Sequence, residues 1–298
     1  MAKFSEETLI NWTKPPSDTE ETKLQNAERM VREAIAEDKK LSALSTETFG
    51  QGSYANDTNV KLNSDIDINV RYTGGFYFDL PNGKTRSDFG LNSPSEYSVE
   101  EFKNDVETAL VNKFGRESVV RSNKCLNVKG NTYRIETDVL PTWNYRRYQE
   151  NGNYVLGAKF YTDKNNEIIN FPKQHIENGK NKNANTHLRF KRMTRIFKKL
   201  RFIMIEDGEA VSENITSFLL ECLVWNIPNS KFNEYETWTI RLKEAIIYLH
   251  ENTKTLEPCK EWGEVSELLY LFHSGRKWSS QDVNNFLVLA WNYLEFES

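Results

Sequence analysis

Residues 65–70 read Asp-Ile-Asp-Ile-Asn-Val. Strict alternation of polar and apolar side chains marks a strand with one face in a core. Ile66, Ile68 and Val70 share that face. Asp65 and Asp67 share the other, ~7 Å apart along the chain. Burying a strand that carries two carboxylates is costly unless cations or hydrogen-bond donors meet them. The run therefore demands a sheet, a covered apolar face, and a cationic or donor partner on the other. A calcium loop is disfavoured, because Ile66, Ile68 and Val70 build a strand and not an Asp/Asn/Gly loop. Paired carboxylates on a rigid strand suit hard divalent cations.

Two further segments complete this picture. Upstream, Phe49-Gly50-Gln51-Gly52-Ser53 follows a short strand over Thr46–Gly50 and opens a polar loop over Gln51–Ser64. Glycine lets a backbone approach a phosphate closely, and a Ser hydroxyl and N–H can donate to it. Downstream, a strand over Tyr133–Leu140 places Glu136 and Asp138 on one face and Ile135 and Val139 on the other. Three carboxylates on two strands can hold two metal ions ~3.5–4 Å apart. One ion would lower the pKa of an attacking hydroxyl, and the other would neutralise a triphosphate and its departing pyrophosphate. Phosphoryl and nucleotidyl transfer depend mainly on such positioning and charge stabilisation.

The rest of the chain sets these segments in two lobes. Ser17 and Glu20 form a capping box for a helix over Thr19–Lys39, and Ser98 and Glu101 form another for a helix running from Phe102 to Phe114. Gly74–Ser95 reads as loop or hairpin, Val119–Val128 as a strand, and Tyr154–Tyr161 with Glu167–Phe171 as a hairpin. Lys173–Asn185 reads as a polar, Asn/Lys-rich loop. Helices follow over Thr186–Glu206, Ser217–Asn226, Trp238–His250, Glu264–His273 and Ser280–Leu294. The expected fold is α+β: a mixed sheet with flanking helices over residues 1–183, then a helical lobe over residues 184–298.

Charge is uneven. Asn178–Ile205 carries nine Lys and Arg and no Asp or Glu, leaving −13 on the remainder of a chain whose total is −4. Such one-sided density points to an anionic partner such as phosphate; pairing with acidic neighbours inside the fold is the alternative. Three widely spaced cysteines and four histidines with no i,i+4 pair argue against a disulfide framework and a zinc cluster. No apolar run approaches a membrane span and no secretory signal is visible, so a cytoplasmic location is expected.

The order Gly-Ser, eleven residues, Asp-x-Asp, then a third Asp on a later strand resembles the polymerase-β-like nucleotidyltransferase superfamily. Within it the chain is similar to the bacterial cGAS/DncV-like nucleotidyltransferases, or CD-NTases. Trp12–Glu20, Gln51–Tyr54, Glu136–Pro141, Phe190–Arg201 and Ser217–Glu221 carry that closer likeness. The resemblance implies a bilobal enzyme that joins ribonucleoside triphosphates into a cyclic di- or trinucleotide messenger for antiphage defence. It implies two Mg²⁺ (or Mn²⁺) ions, with Asp65 and Asp67 on both and Asp138 on the ion that activates the acceptor hydroxyl. Gln51, Gly52 and Ser53 would hold the donor phosphates. Lys198 and Ser217 would reach the triphosphate, and Phe218 would stack on the donor base, a contact worth ~1–3 kcal/mol. Lys199 competes with Lys198 for its role, and Phe218 could instead be core. The expected product diffuses to an effector protein, and the expected enzyme is a monomer with no stable nucleic-acid complex. No His/Cys insertion accompanies the resemblance, so activation by double-stranded DNA is not carried over from the animal sensor. A linear oligonucleotide synthase or an RNA-tailing enzyme is the alternative; a single basic segment at a pI of about 5.8 favours small nucleotides over RNA. A catalytically dead scaffold would commonly lack one of the three aspartates, and all three are present.

Overall fold

The computed structural model describes residues 2–60, 65–91, 93 and 97–296. The end of the expected Gln51–Ser64 loop and parts of Gly74–Ser95 lie outside the described residues. In chain order the elements are α1 (Glu6–Trp12), α2 (Asp18–Glu37), β1 (Thr46–Gln51), α3 (Gly52–Ala55), β2 (Ile66–Asp79), α4 (Val99–Phe114), β3 (Val119–Arg121), β4 (Leu126–Val128), β5 (Thr137–Tyr148), β6 (Tyr154–Tyr161), β7 (Glu167–Asn170), α5 (Pro172–Asn185), α6 (Arg189–Glu206), α7 (Ser217–Trp225), α8 (Asn229–Asn233), α9 (Trp238–Thr253) and α10 (Ser280–Tyr293). The α+β class and the mixed sheet with flanking helices are as the sequence predicts.

The chain divides into two units. The sheet unit spans Ser17–Tyr54 and Ser64–Pro172. Its strands run β1-β2-β5-β4-β3, with β6 and β7 extending from β5. β2 and β5 are parallel, and every other pairing is antiparallel. Ile66, Ile68, Val70 and Val139 have no solvent exposure and pack in one core with Leu24, Val31, Phe102 and Val106 of α2 and α4. That is the apolar face of the Asp-Ile-Asp-Ile run. Both predicted capping boxes are present, at Ser17/Glu20 and Ser98/Glu101.

β2 runs further than expected, to Asp79, with a register shift between Tyr72 and Phe76 absorbing Gly74 and Gly75. The expected strand Val119–Val128 is instead two three-residue strands, paired antiparallel. β5 begins at Thr137 and passes through Pro141. Proline has no N–H for a ladder, and Pro141 falls where none is needed: β4 pairs as far as Val139, and β6 starts pairing at Trp143.

The helical unit spans Met1–Pro16, Ala55–Asn63 and Lys173–Ser298. This differs from the expected split at residues 183 and 184 in three respects, since Met1–Pro16, Ala55–Asn63 and residues 173–183 all fall in the helical unit. The leader belongs here: α1 lies against α6 and α9, and the Glu6 carboxylate accepts from the Trp238 and Thr239 N–H groups at the start of α9, at 2.6 and 2.9 Å. Residues 173–185 form helix α5 and not a loop. Its weak intrinsic propensity is offset by tertiary bonds: Asn178 donates to the Val265 carbonyl at 2.9 Å and Lys182 to the Ile227 carbonyl at 2.8 Å. The expected helix over Glu264–His273 is absent. Glu267 adopts φ +59°, a left-handed conformation that ends any helix through it, and Gly263 bridges Tyr270. The core gathers Phe190, Ile196, Phe197 and Leu200 of α6 with Leu219 and Leu223 of α7 and Phe286 of α10. Among the described residues, no helix is long and apolar enough to cross a membrane.

Candidate active site

In the sheet unit, strand register sets the acidic residues. Gln51 pairs with Asp67, Asp67 with Asp138, and Asp138 with Asn127. Partners directly opposite in a sheet point to the same face. Four strands thus contribute one polar row, in which two carboxylates stand on adjacent parallel strands. Asp65 lies one residue ahead of β2, beside the backbone bond from the Ile66 N–H to the Glu136 carbonyl.

The row has a negative field. The Asp65 carboxyl is raised above its ordinary range by desolvation within the cluster, then by the charges of Glu136 and Asp138. Burial pushes the Cys125 thiol up to about 11 against a hydrogen bond with Ser122, and Asp138 and Asp67 add to the rise. One side chain relieves the crowding: the Asn127 amide donates to Glu136 Oε1 at 2.8 Å and to Asp138 Oδ1 at 3.2 Å.

Gly52 closes the row from above. Its φ is +66°, and a Cβ added there would lie 2.0 Å from Asp67 Oδ2. Only glycine gives the turn both the left-handed backbone and room for that carboxylate. Gln51 is held from the side: its Oε1 accepts from Asn69 Nδ2 at 3.0 Å, and Asn69 Oδ1 accepts from Thr142 Oγ1 at 2.7 Å. Ser53 follows in α3 and is half-buried.

Among the described residues, no three His, Cys, Asp or Glu side chains converge closely enough to ligate an ion as they stand. The donor set nevertheless fits one. Asp65, Asp67 and Asp138 offer only hard oxygen atoms, and the Asp65 carboxyl is raised first by burial and then by the charges of Glu136 and Asp138, both of which a divalent cation would offset.

The helical unit holds the other expected residues. Lys198 is 5% exposed. Its ammonium donates to Glu221 Oε2 at 2.8 Å and to Thr58 Oγ1 at 2.9 Å. Glu221 also accepts from Thr58 Oγ1 at 2.7 Å and meets His175 Nε2 at 2.9 Å. Burial opposes ionisation of Glu221, but Lys198 and His175 outweigh it and hold the carboxyl far below its usual range. Ser217 is exposed at the first position of α7. Phe218 is 38% exposed, so it is not core; its ring lies 5.9 Å from that of His175 and 6.2 Å from that of Trp278.

The cationic density of residues 178–205 is largely consumed inside this unit. Lys198 pairs with Glu221, Arg195 donates to the Thr13 carbonyl at 2.7 Å, Lys182 is held by Ile227, and Lys191 is buried. Pairing with carboxylates inside the unit accounts for part of the imbalance, through Lys198 with Glu221 and Arg195 with Asp57. The residues that sequence reasoning did not assign are Asn69, Asn127, Thr58, His175 and Glu221. Asn69 and Asn127 carry a readable signal, since each is a lone amide flanked by apolar strand residues.

Known proteins resemble this chain over its length. The model of the cGAS/DncV-like nucleotidyltransferase C-terminal helical domain matches residues 177–295. A cyclic dipyrimidine nucleotide synthase, CdnE, from Cecembia lonarensis is 68% identical over 296 residues, spanning 99% of this chain and 100% of that protein. A cyclic dipurine nucleotide synthase from Elizabethkingia meningoseptica is 40% identical over 299 residues, spanning 99% of each chain. The solved structure of the E. meningoseptica CdnE cyclic dinucleotide synthase with GTP and Apcpp superposes with a TM-score of 0.82 at 38% identity, over 99% of this chain and 100% of that one. Likeness across the whole length, in both units, is what family membership requires, and the chain belongs to the cGAS/DncV-like nucleotidyltransferases.

Proposed function

We propose that this cyclic dinucleotide synthase joins two pyrimidine ribonucleoside triphosphates into a cyclic dipyrimidine nucleotide. The observation that carries the chemistry is the Gln51–Asp67–Asp138–Asn127 row with Gly52 closed on the Asp67 carboxylate. The 68% identity to a cyclic dipyrimidine synthase supports the base class.

In this reading Asp65, Asp67 and Asp138 would hold Mg²⁺ or Mn²⁺, with Asp138 on the side that serves the acceptor. Bound there, the ions lower the pKa of the acceptor hydroxyl and neutralise the departing pyrophosphate. In the sheet unit Gln51, Gly52 and Ser53 would orient the donor phosphates; in the helical unit Lys198 and Ser217 are the candidates for contacting a triphosphate. Phe218 offers its exposed ring to the donor base. In each step a ribose hydroxyl oxygen bonds to the α-phosphorus, the α–β phosphoanhydride bond breaks, and pyrophosphate and a proton leave. Two such steps close the ring. The enzyme works as a monomer in the cytoplasm without a stable nucleic-acid partner, and the product diffuses to an effector protein.

Four parallel reactions test the base class. Each contains all four ribonucleoside triphosphates and Mg²⁺, with one of them α-³²P-labelled. Phosphatase-resistant label is expected from UTP or CTP and not from ATP or GTP. Resistant label from ATP or GTP alone would assign the chain to the dipurine class of its 40% identical relative.

A further inference from the structure

Three side chains from three segments meet at the buried carboxylate of Glu221. Glu221 of α7, Lys198 of α6, His175 of α5 and Thr58 are 4%, 5%, 7% and 0% exposed. Burying an ionised Lys–Glu pair is rarely the most stable solution, since apolar residues of similar volume often serve as well or better. The sequence keeps the pair, which suggests a task beyond packing.

Donor counting indicates the task. An ammonium has three N–H donors. Among the described residues, two of the three on Lys198 have acceptors, Glu221 and Thr58. The third has none in a place where water has little access. Glu221 is more fully used: it accepts from Thr58 and Lys198 on Oε2 and meets His175 on Oε1. A long, flexible lysine is thereby fixed by two contacts, with one donor left over for an anion. The same carboxylate anchors His175, whose ring lies beside the exposed Phe218. Thr58 lies in the segment that joins Ser53 to Asp65 in sequence.

We propose that Glu221 is a positioning residue for the donor nucleotide: it aims Lys198 at the triphosphate and secures His175 behind Phe218. The proposal rests on the reading of this enzyme as a nucleoside triphosphate transferase. Glu221 itself touches no substrate. It converts a mobile cation into a fixed donor, which lowers the entropy lost on binding.

The test compares Lys198→Met, Glu221→Gln and the double variant by melting temperature and by affinity for a non-hydrolysable UTP analogue with Mg²⁺. Each single change leaves a buried group without its partner, so each lowers the melting temperature. The double variant removes both charges and recovers most of that loss. Affinity behaves differently: all three variants bind the analogue about tenfold more weakly, ~1.4 kcal/mol, and the double variant is no worse than either single one because the two residues act as one unit. A double variant that recovers affinity together with the melting temperature would make the cluster a packing strut and overturn the proposal. So would a Glu221→Gln variant with wild-type affinity. Failure of the wild-type protein to bind any of the four triphosphates would instead overturn the transferase reading, which separates the two failures.

Discussion

Asp67 on β2 and Asp138 on β5 are direct partners in the parallel pair of the sheet, with Asn127 holding Asp138 from the far side. The two carboxylates stand on neighbouring strands whose backbones run ~4.8 Å apart, a placement of like charges that a cation would relieve. Asp67→Asn and Asp138→Asn should each reduce product formation about 1,000-fold, ~4 kcal/mol in the barrier. Neither should lower the melting temperature in EDTA. An Asp138→Asn enzyme with more than a few per cent of wild-type turnover would move its metal role to Glu136.

Asp65 tests the electrostatics without turnover. Desolvation, Glu136 and Asp138 raise its carboxyl, so its ionised form is disfavoured in the folded, metal-free state. Asp65→Asn should raise the melting temperature at pH 7 in EDTA and abolish the stabilisation that Mn²⁺ gives the wild type. Scanning fluorimetry with and without Mn²⁺ reads both effects. Equal Mn²⁺ stabilisation in the variant would remove Asp65 from the metal site.

Gly52→Ala should be more damaging to activity than to folding. The left-handed backbone costs an L-residue roughly 1–2 kcal/mol, and the new methyl would collide with Asp67 Oδ2. We expect a loss of at least about 100-fold in kcat/KM, ~3 kcal/mol, with a melting temperature lowered by only a few degrees. Near-normal kcat/KM in a folded variant would show that the turn can yield without moving Asp67.

Lys182 sets a pH dependence of stability. Burial depresses its ammonium to about 8, with Glu267 opposing; the rings of Trp225 and Phe232 lie 5.0 and 5.5 Å away. The unfolded chain holds this proton up to an ordinary lysine value, so between about 8 and 10.5 it binds more protons than the folded chain. Stability therefore gains from this group as pH rises through that window, and the burial penalty is fully present below it. The difference in melting temperature between wild type and Lys182→Met should shift in favour of the wild type from pH 7.5 to about 10. A difference independent of pH would mean that the lysine keeps its proton throughout.

The Asp65–Val70 strand was legible because a period of two assigns faces unambiguously. Asp65 and Asp67 needed only alternation, Asp138 was singled out from Glu136 by the family resemblance, and both capping boxes announced their helices. Long-range support was not legible. Residues 173–185 are rich in Asn, Lys and Gly, and α5 persists through bonds to Ile227 and Val265 that no local pattern reveals. Glu264–His273 has helical spacing, yet Glu267 sits left-handed. The basic window was legible as charge, with pairing inside the fold as the alternative, but its partner Glu221 was not, because it lies twenty-three residues beyond Lys198 in sequence. Asn127 stands out as a lone amide between Leu126 and Val128, but its place opposite Asp138 becomes visible only once the strands are paired.

Closure of a ring from two pyrimidine nucleotides at the Asp67–Asp138 row is tested most directly by mass spectrometry of the phosphatase-treated products of the purified protein with all four ribonucleoside triphosphates and Mg²⁺. One dominant species is expected at the mass of a cyclic dinucleotide built from uridine or cytidine, absent from the Asp67→Asn reaction. A linear oligonucleotide, a phosphatase-sensitive product, or a cyclic species that persists in Asp67→Asn would contradict it.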